Sequence, residues 1–549
     1  MNVAELVGRT LAQLGVSHAF GVVGSGNFEV TNALRRHGVT YVAARHEGGA
    51  ATMADAYSRM SGEVTVVSVH QGCGLTNAMT GIGEAAKSRT PMIVLAAETA
   101  GSAVRSNFTI DQQALARSVG AVAERVHSPG SAVADTVRAY RTARSERRTV
   151  VLNLPLDVQA APAPEGTPDI VAAIPSAQLV RPSNEAVREL VRLIQAAARP
   201  VFVAGRGGRD ARTEILELAE QAGALVATSA VASGLFNGER FSLGISGGFS
   251  SPQTAELISQ ADLIIGFGCT LNMWTMRHGA LISERARVVQ VDVEDSALGA
   301  NRPIDLGVLG DCAATAREAL AVLREHGGAA DEKYRTERNA TLIAEHSRWQ
   351  DVPVEDISMG GRIDPRVLSI ALDGILPAER ILSIDSGNFM GYPSTHLSVP
   401  DEFGFCFTQA FQSIGLGLYT AIGAALARPD RLPVLGTGDG GFLMGISELE
   451  TAVRLSLPLV VIVYNDAAYG AEVHHFTAKE DLDTVTFPDS DLAAIARGYG
   501  AHAITVRTPT DLDAVQGWLD GPRNAPLVID AKIASDGGAW WLAEAFKGH

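Results

Sequence analysis

Two acidic residues in the last third of the chain have the type and spacing of a metal-binding pair. The run LPVLGT leads directly into Gly438-Asp439-Gly440-Gly441, and LVVIVY leads directly into Asn465-Asp466. Asp439 and Asp466 are 27 residues apart, and each follows an apolar, β-branched run, so both carboxylates fall at strand ends. Carboxylate oxygens at two strand tips, completed by waters and phosphate oxygens, meet the demand of Mg2+ for six hard ligands. Glycines there let backbone N–H groups approach a phosphate with no Cβ in the way. Between the two runs, GISELETAVRLSLP predicts a helix that starts beside the glycine turn, and a helix N-terminus favours a diphosphate. Taken singly, Gly-Asp-Gly-Gly and Asn-Asp are both ordinary turns. Their placement at matched strand ends around one helix is what points to a site. Asn465 is the alternative oxygen donor if the pairing shifts by one residue.

The elements that would position these groups repeat along the chain. Short β-branched runs alternate with helical patterns, the signature of a parallel α/β sheet. The strands expected in the first block start at His18 and lie at Val64–Val69, Met92–Ala97 and Thr149–Pro155, with VTYVAA before Arg45 also strand-like. In the second block they are Pro200–Gly205, Ala224–Ala230, Leu263–Gly268 and Arg287–Val293. In the third they are Arg380–Asp385, Leu432–Gly440, Leu457–Asp466 and Ala525–Ile533. Two loop-like stretches separate the blocks, a proline-rich one near Ala160–Pro182 and a charged one near Glu325–Pro353. The expectation is α/β, three domains each with a mostly parallel sheet flanked by helices, at residues 1–160, 183–326 and 354–549. Ligands on such sheets bind beyond the carboxyl ends of the strands.

Composition narrows the function classes. The 549 residues carry a formal net charge of −16, which disfavours nonspecific binding to nucleic acid or to anionic membranes. Four cysteines lie far apart with no C-x-x-C pair, so neither a zinc ribbon nor a disulfide scaffold is expected, and a reducing cytoplasm is the natural compartment. Glu5 and Arg9 interrupt any signal-peptide core in the N-terminal stretch, whose Val3, Leu6, Val7, Leu11 and Leu14 fit an amphipathic helix. No apolar run approaches the ~18 residues of a membrane span. The 56 glycines are in excess and aperiodic.

The acidic pair resembles the signature of thiamine diphosphate-dependent enzymes, GDG followed after an interval by NN. The resemblance covers nearly the whole chain, in the arrangement of acetolactate synthase and benzoylformate decarboxylase, and makes the blocks pyrimidine-binding, middle nucleotide-binding-like and diphosphate-binding. It implies that the metal ligands are the side chains of Asp439 and Asp466 and the backbone oxygen of Ala468. Asp466 stands where the family usually has Asn and adds a negative charge. Arg45-His46-Glu47, followed by the helical GGAATMADAYSRMSG, resembles the family's glutamate motif. Glu47 would bond N1′ of the aminopyrimidine from a mostly apolar pocket, where burial raises a carboxyl's pKa toward the working range. Val69–Asn77 resembles the family's glycine-rich TN segment. There His70 falls where benzoylformate decarboxylase-like members carry an active-site histidine able to shuttle a proton. Gly24-Ser25-Gly26 matches a loop that faces substrate, and Ser25 could bind a carboxylate. Phe108 aligns with a glutamine of acetolactate synthase-like members and would make the pocket less polar; Gln112 and Gln113 lie close enough for a local shift to bring one into that role.

The same resemblance implies further cofactor contacts. Ile414 would wedge between the thiazolium and pyrimidine rings, and Gln412 would offer its carbonyl to the 4′-amino group. Gly387, Asn388 and Phe389 would approach the diphosphate from the side opposite Gly438, Asp439, Gly440 and Gly441. Tyr469 and Gly470 follow the metal loop in a segment, 469–475, that could form a lid, with His474 and His475 at its end. In the middle block Trp274, Arg277 and His278 lie on a loop that could reach the pocket. The middle domain holds FAD in some family members and nothing in others; AGRGGR does not spell a dinucleotide motif, and FAD is not assigned. The implied activity is a Mg2+- and thiamine diphosphate-dependent lyase or carboligase that decarboxylates a 2-oxo acid and protonates or ligates the enamine. A non-ligating benzoylformate decarboxylase-like enzyme, a flavin oxidoreductase of the same fold and a noncatalytic binding subunit are the alternatives. Because family members share the cofactor between the first block of one chain and the third of its partner, a homodimer is the minimum and a homotetramer is expected.

Overall fold

The computed structural model describes residues 1–166, 170, 178–325, 332–476 and 481–545. Parts of both expected linkers, 167–169, 171–177 and 326–331, lie outside the described residues. Three six-stranded sheets follow one another along the chain. The first contains β1 (His18–Gly21), β2 (Thr40–Ala43), β3 (Thr65–Val69), β4 (Met92–Glu98), β5 (Val122–Arg125) and β6 (Thr149–Pro155), in the order 2-1-3-4-6-5. The second contains β7 (Pro200–Ala204), β8 (Leu225–Thr228), β9 (Ser242–Ile245), β10 (Leu263–Phe267), β11 (Arg287–Asp292) and β12 (Leu306–Leu309), in the order 12-11-10-7-8-9. The third contains β13 (Arg380–Ile384), β14 (Phe405–Phe407), β15 (Leu432–Gly438), β16 (Val460–Asn465), β17 (His502–Val506) and β18 (Leu527–Lys532), in the order 14-13-15-16-18-17. All pairings within these sheets are parallel. The central strands, such as β3, β7, β10, β13 and β16, are buried throughout. Helices cover both faces, so nearly continuous apolar runs are required there.

The helices follow local rules. Val3–Gln13 starts where Asn2 accepts from the Glu5 amide, and it buries Val3, Leu6, Val7 and Leu11. Glu47–Ser61 is built mainly of small residues and is buried nearly all round, ending at Gly62 with φ +76°. Its neighbour is Gly417–Ala427 of the third domain, and a Cβ on Gly423 would lie 2.2 Å from the Met53 carbonyl oxygen. Met53, Ala54, Ala421 and Ile422 belong to one apolar cluster, so the first and third domains of a chain share a core. The middle domain packs around clusters of its own, one centred on Phe202, Ile265 and Val289. All four cysteines are free. Among the described residues no helix is long and apolar enough to cross a membrane.

One expected element differs. GISELETAVRLSLP forms Ser447–Arg454, preceded by a separate helix, Asp439–Gly445, with Gly438 as its N-cap. Asp439 is therefore a helical residue directly after β15, and the first helix begins in the glycine run rather than beside it.

Candidate functional site

β15 and β16 are adjacent, with Gly438 level with Tyr464. That register brings Asp439 and Asp466 out at the same end of the sheet. Asp439 is buried and Asp466 half-buried, and the two carboxyl groups are neighbours whose charges interact. Burial, and for Asp466 the neighbouring charge of Asp439, pushes both carboxyls well above the usual carboxylate range. Asp439 Oδ1 is buried with no hydrogen-bond partner. Two carboxylates that repel one another, one with an orphaned oxygen, fit a divalent cation as the missing partner. Ala467 takes φ +60°, and the Ala468 N–H donates to Asp466 Oδ1 at 3.2 Å, so the chain doubles back at the pair. Asn465 turns the other way: its Nδ2 donates to Asp530 Oδ1 at 2.8 Å and its Oδ1 accepts from Ala467 N–H at 3.1 Å. With both groups engaged below the sheet end, Asp466 rather than Asn465 faces Asp439.

A cavity of about 810 Å3 opens over this pair, between the third and middle domains, with Arg59, Lys87, Ser88, Arg89 and Arg147 of the first domain also on its wall. Gly387, Asn388, Phe389, Gln412, Ile414, Gly438, Gly440, Gly441, Ala468, Tyr469 and Gly470 line it together with Asp439 and Asp466. Glu472, within the segment expected to form a lid, and Trp274 of the middle domain also line it. The glycines serve protein packing as well as any ligand. A Cβ on Gly441 would lie 2.3 Å from Asp385 Oδ2, and one on Gly440 would lie 2.6 Å from the Tyr469 ring. Gln412 has φ +56°, a left-handed backbone that a side-chain-bearing residue rarely adopts.

Asp385, at the end of β13, lies beneath this cavity. It accepts from the N–H of Gly415 at 3.0 Å and of Ser386 at 2.8 Å, and from the Thr437 hydroxyl at 3.1 Å. Complete burial outweighs these donors and raises its carboxyl to about 6. No motif in the sequence singles this aspartate out from its neighbours Ser383–Phe389.

The first-domain candidates form a second group. Glu47 is the first residue of its helix, half-buried, and accepts from Asn77 Nδ2 at 3.1 Å. The turn into it is held by Glu448 of the third domain, which accepts from the N–H groups of Arg45 at 2.7 Å and His46 at 2.9 Å. Glu448 is completely buried. As an acidic residue in a first helical turn it reads in sequence as a dipole partner only. Gly74 separates Glu47 from His70, since a Cβ on it would lie 3.1 Å from His70 Cβ and 3.4 Å from Glu47 Oε1. His70 places Nδ1 3.1 Å from the Gln71 carbonyl, and a proton there leaves Nε2 facing Ser25 Oγ at 3.4 Å. Phe108 packs edge-on against the His70 ring at 5.0 Å. Ser25, His70 and Phe108 are thus one cluster, with Glu47 beside it.

Neither glutamine takes the place of Phe108. Gln112 is buried, accepts from the Gly72 N–H at 2.8 Å and donates to Ala97 O and Asn153 Oδ1, while Gln113 accepts from Arg117 at 2.8 Å. None of Glu47, Ser25, His70 and Phe108 lines the cavity over Asp439 of the same chain. Arg277 is committed to Gly247 O and Ser250 O and lies 4.3 Å from the Trp540 ring centre; neither it nor His278 lines the cavity. Gly205 and Gly207 pack against the Gly268 turn, where a Cβ on either would come within 2.9 Å of Gly268, so close backbone approach accounts for them.

The comparisons with known proteins agree with this arrangement. Residues 1–115 match the thiamine pyrophosphate enzyme N-terminal TPP binding domain, 187–319 the central domain and 385–531 the C-terminal TPP binding domain. Sulfoacetaldehyde acetyltransferase of Roseovarius nubinhibens is 28% identical over 100% of this chain and 94% of its own. The acetolactate synthase large subunit of Haemophilus influenzae is 24% identical over 96% and 94%. The solved thiamine diphosphate-dependent 4-hydroxybenzoylformate decarboxylase of Rhodococcus jostii shares the fold, with a TM-score of 0.81, 24% identity and coverage of 98% of this chain and 100% of that one. With the N-terminal, central and C-terminal domains of thiamine pyrophosphate enzymes matched in order along one chain, this protein belongs to the thiamine diphosphate-dependent enzyme family.

Proposed function

We propose that the protein is a thiamine diphosphate- and Mg2+-dependent lyase or carboligase that releases CO2 from a 2-oxo acid and then protonates the product or joins it to a second carbonyl. The observation that carries this reading is the buried Asp439–Asp466 pair, with its orphaned oxygen, at the floor of the cavity. Asp439, Asp466 and the Ala468 carbonyl would hold the cation, and the cation the diphosphate. Thiamine diphosphate, when bound, supplies the carbanion chemistry. Gln412 and Ile414 on the loop 408–415 would orient its rings, with Gly387, Asn388 and Phe389 on the diphosphate side. Glu47 would hold and return a proton at N1′ of the aminopyrimidine. His70, with Ser25 within 3.4 Å of its Nε2, would exchange a proton with the substrate, and Phe108 would exclude water beside it.

The separation of the Glu47 group from the cavity of its own chain supports a homodimer in which each cavity receives Glu47 from the partner, and a homotetramer as a dimer of dimers. Exposed Val23, Phe28 and Phe108 on the first domain and Phe411, Ile414 and Met444 on the third supply apolar surface for it. We place the domains at 1–160, 183–326 and 354–549, and the enzyme in the cytoplasm. The Ser25–His70–Phe108 cluster also favours a second reading, a decarboxylase that only protonates, because an imidazole able to deliver a proton competes with ligation. The deciding experiment supplies pyruvate, benzoylformate, branched 2-oxo acids and oxalyl-type substrates to protein reconstituted with Mg2+ and cofactor, and measures CO2 and ligated product. CO2 release that needs both additions and drops 100-fold or more in Glu47→Gln is expected, since general acid–base groups contribute about 10²–10⁴-fold. Turnover without cofactor, or near-normal turnover in Glu47→Gln, refutes the assignment.

A further inference from the structure

The loop 408–415 is held at both ends, and the two holders belong to different domains. At its C-terminal end the Gly415 N–H donates to Asp385. At its N-terminal end the holder is Glu84, on the first-domain helix Cys73–Lys87. Glu84 has no solvent exposure and accepts from the N–H groups of Ala410 at 3.0 Å and Phe411 at 2.6 Å. Arg59 completes the clamp, with Nη2 at 2.8 Å from Glu84 and 2.6 Å from Asp55, and Nη1 donating to Phe407 O at 2.8 Å. A fully buried carboxylate is expensive to place and is retained where its geometry is needed. Here it fixes the two residues that precede Gln412, whose own backbone is left-handed. The converse contact is Glu448, which holds the turn into Glu47.

We propose that Glu84 is a positioning residue for the cofactor cavity of its own chain, acting through loop 408–415, while Glu47 of the same domain serves the partner's cavity. Each pyrimidine-binding domain then works on both sites of a dimer, one by contact and one by positioning. The inference rests on the shared-site dimer proposed above. It adds that the two acids of one domain act at different sites, which a mixed dimer resolves.

The test uses full-length chains carrying two affinity tags, co-expressed and purified as mixed dimers with Mg2+ and thiamine diphosphate bound. In a dimer of one Glu47→Gln chain and one wild-type chain, the surviving site is built on the loop of the Glu47→Gln chain. Adding Glu84→Gln to that same chain therefore strikes the surviving site. Adding it to the other chain strikes the site already disabled. The expected result is at least ten-fold lower kcat when both substitutions share a chain than when they are on separate chains. Both dimers carry the same substitutions in the same number, so a general folding defect lowers both alike. Equal activities overturn the proposal. The reverse order overturns the shared-site reading on which it rests, because the surviving site would then lie on the chain with intact Glu47. Near-wild-type turnover of the Glu47→Gln homodimer overturns the role given to Glu47 by a separate measurement.

Discussion

Replacing Asp385 by Asn tests how burial and hydrogen bonding divide at the base of loop 408–415. The Asp385 carboxyl is raised from 3.8 to about 6 because burial outweighs donation from Gly415, Ser386 and Thr437. A folded-state pKa above the unfolded value means that the folded chain binds the extra proton. The associated stability is fully present below pH ~3.8 and is lost as pH rises through ~6. At about 1.4 kcal/mol per pKa unit, the whole effect is about 3 kcal/mol, and the part lost between pH 5 and pH 7.5 is about 1.4 kcal/mol. Asn is neutral throughout and lacks this slope. At pH 7.5 the substitution costs about 1–3 kcal/mol by turning an amide toward groups that donate. The deficit grows by the further 1.4 kcal/mol at pH 5, roughly 1 °C in Tm for a 549-residue chain unfolding as one unit at about 2.1 cal/mol/K per residue. The assay compares Tm of wild type and Asp385→Asn at the two pH values with cofactor and Mg2+ saturating, so that contributions common to both cancel. A gap that stays constant or narrows toward pH 5 would mean that the carboxyl is ionised in the folded protein across this range, and that the donors win over burial.

Three other outcomes are expected. Asp439→Asn removes the carboxylate with the orphaned oxygen, and calorimetry should find Mg2+-dependent cofactor binding at least ten-fold weaker, with Tm no longer responding to EDTA. His70→Ala should lower kcat by about 100-fold while leaving cofactor affinity, read by titration, within two- to three-fold of wild type. Gly423→Ala forces a Cβ to 2.2 Å from the Met53 carbonyl at the contact between first and third domains, and should lower stability by about 1–3 kcal/mol in thermal or urea unfolding.

The sheets show which parts of the fold a sequence exposes. The expected runs at Thr149–Pro155 and Leu263–Gly268 became β6 and β10 because strands covered on both faces must be continuously apolar. The strands not anticipated, β5, β9, β12, β14 and β17, all lie at sheet edges. Edge strands are covered less and satisfy fewer ladder bonds, and β12 with the four residues LGVL or β14 with the three residues FCF is apolar but too short to stand out as a strand.

The candidate site divides in the same way. The types and spacing of Asp439 and Asp466 follow from strand, helix and strand in succession, and such local order is written in the chain. Glu47, Ser25 and His70 were legible as motifs at strand ends. Which of Asn465 and Asp466 faces Asp439 depends on the turn at Ala467 and on Asp530, 65 residues further on. The roles of Glu448, Asp385 and Glu84 arise from contacts across long sequence separations, 326 residues for Glu84 and Ala410. Sequence by itself determined the parallel α/β architecture and the acidic pair, because periodicity and strand-end chemistry are local, and its motifs carried the resemblance that pointed to the cofactor family. Only the tertiary structure decided that the Glu47 group stands apart from the cavity of its own chain and that buried acids hold the loops around it, because burial and hydrogen-bond partnership are properties of neighbours brought together by folding.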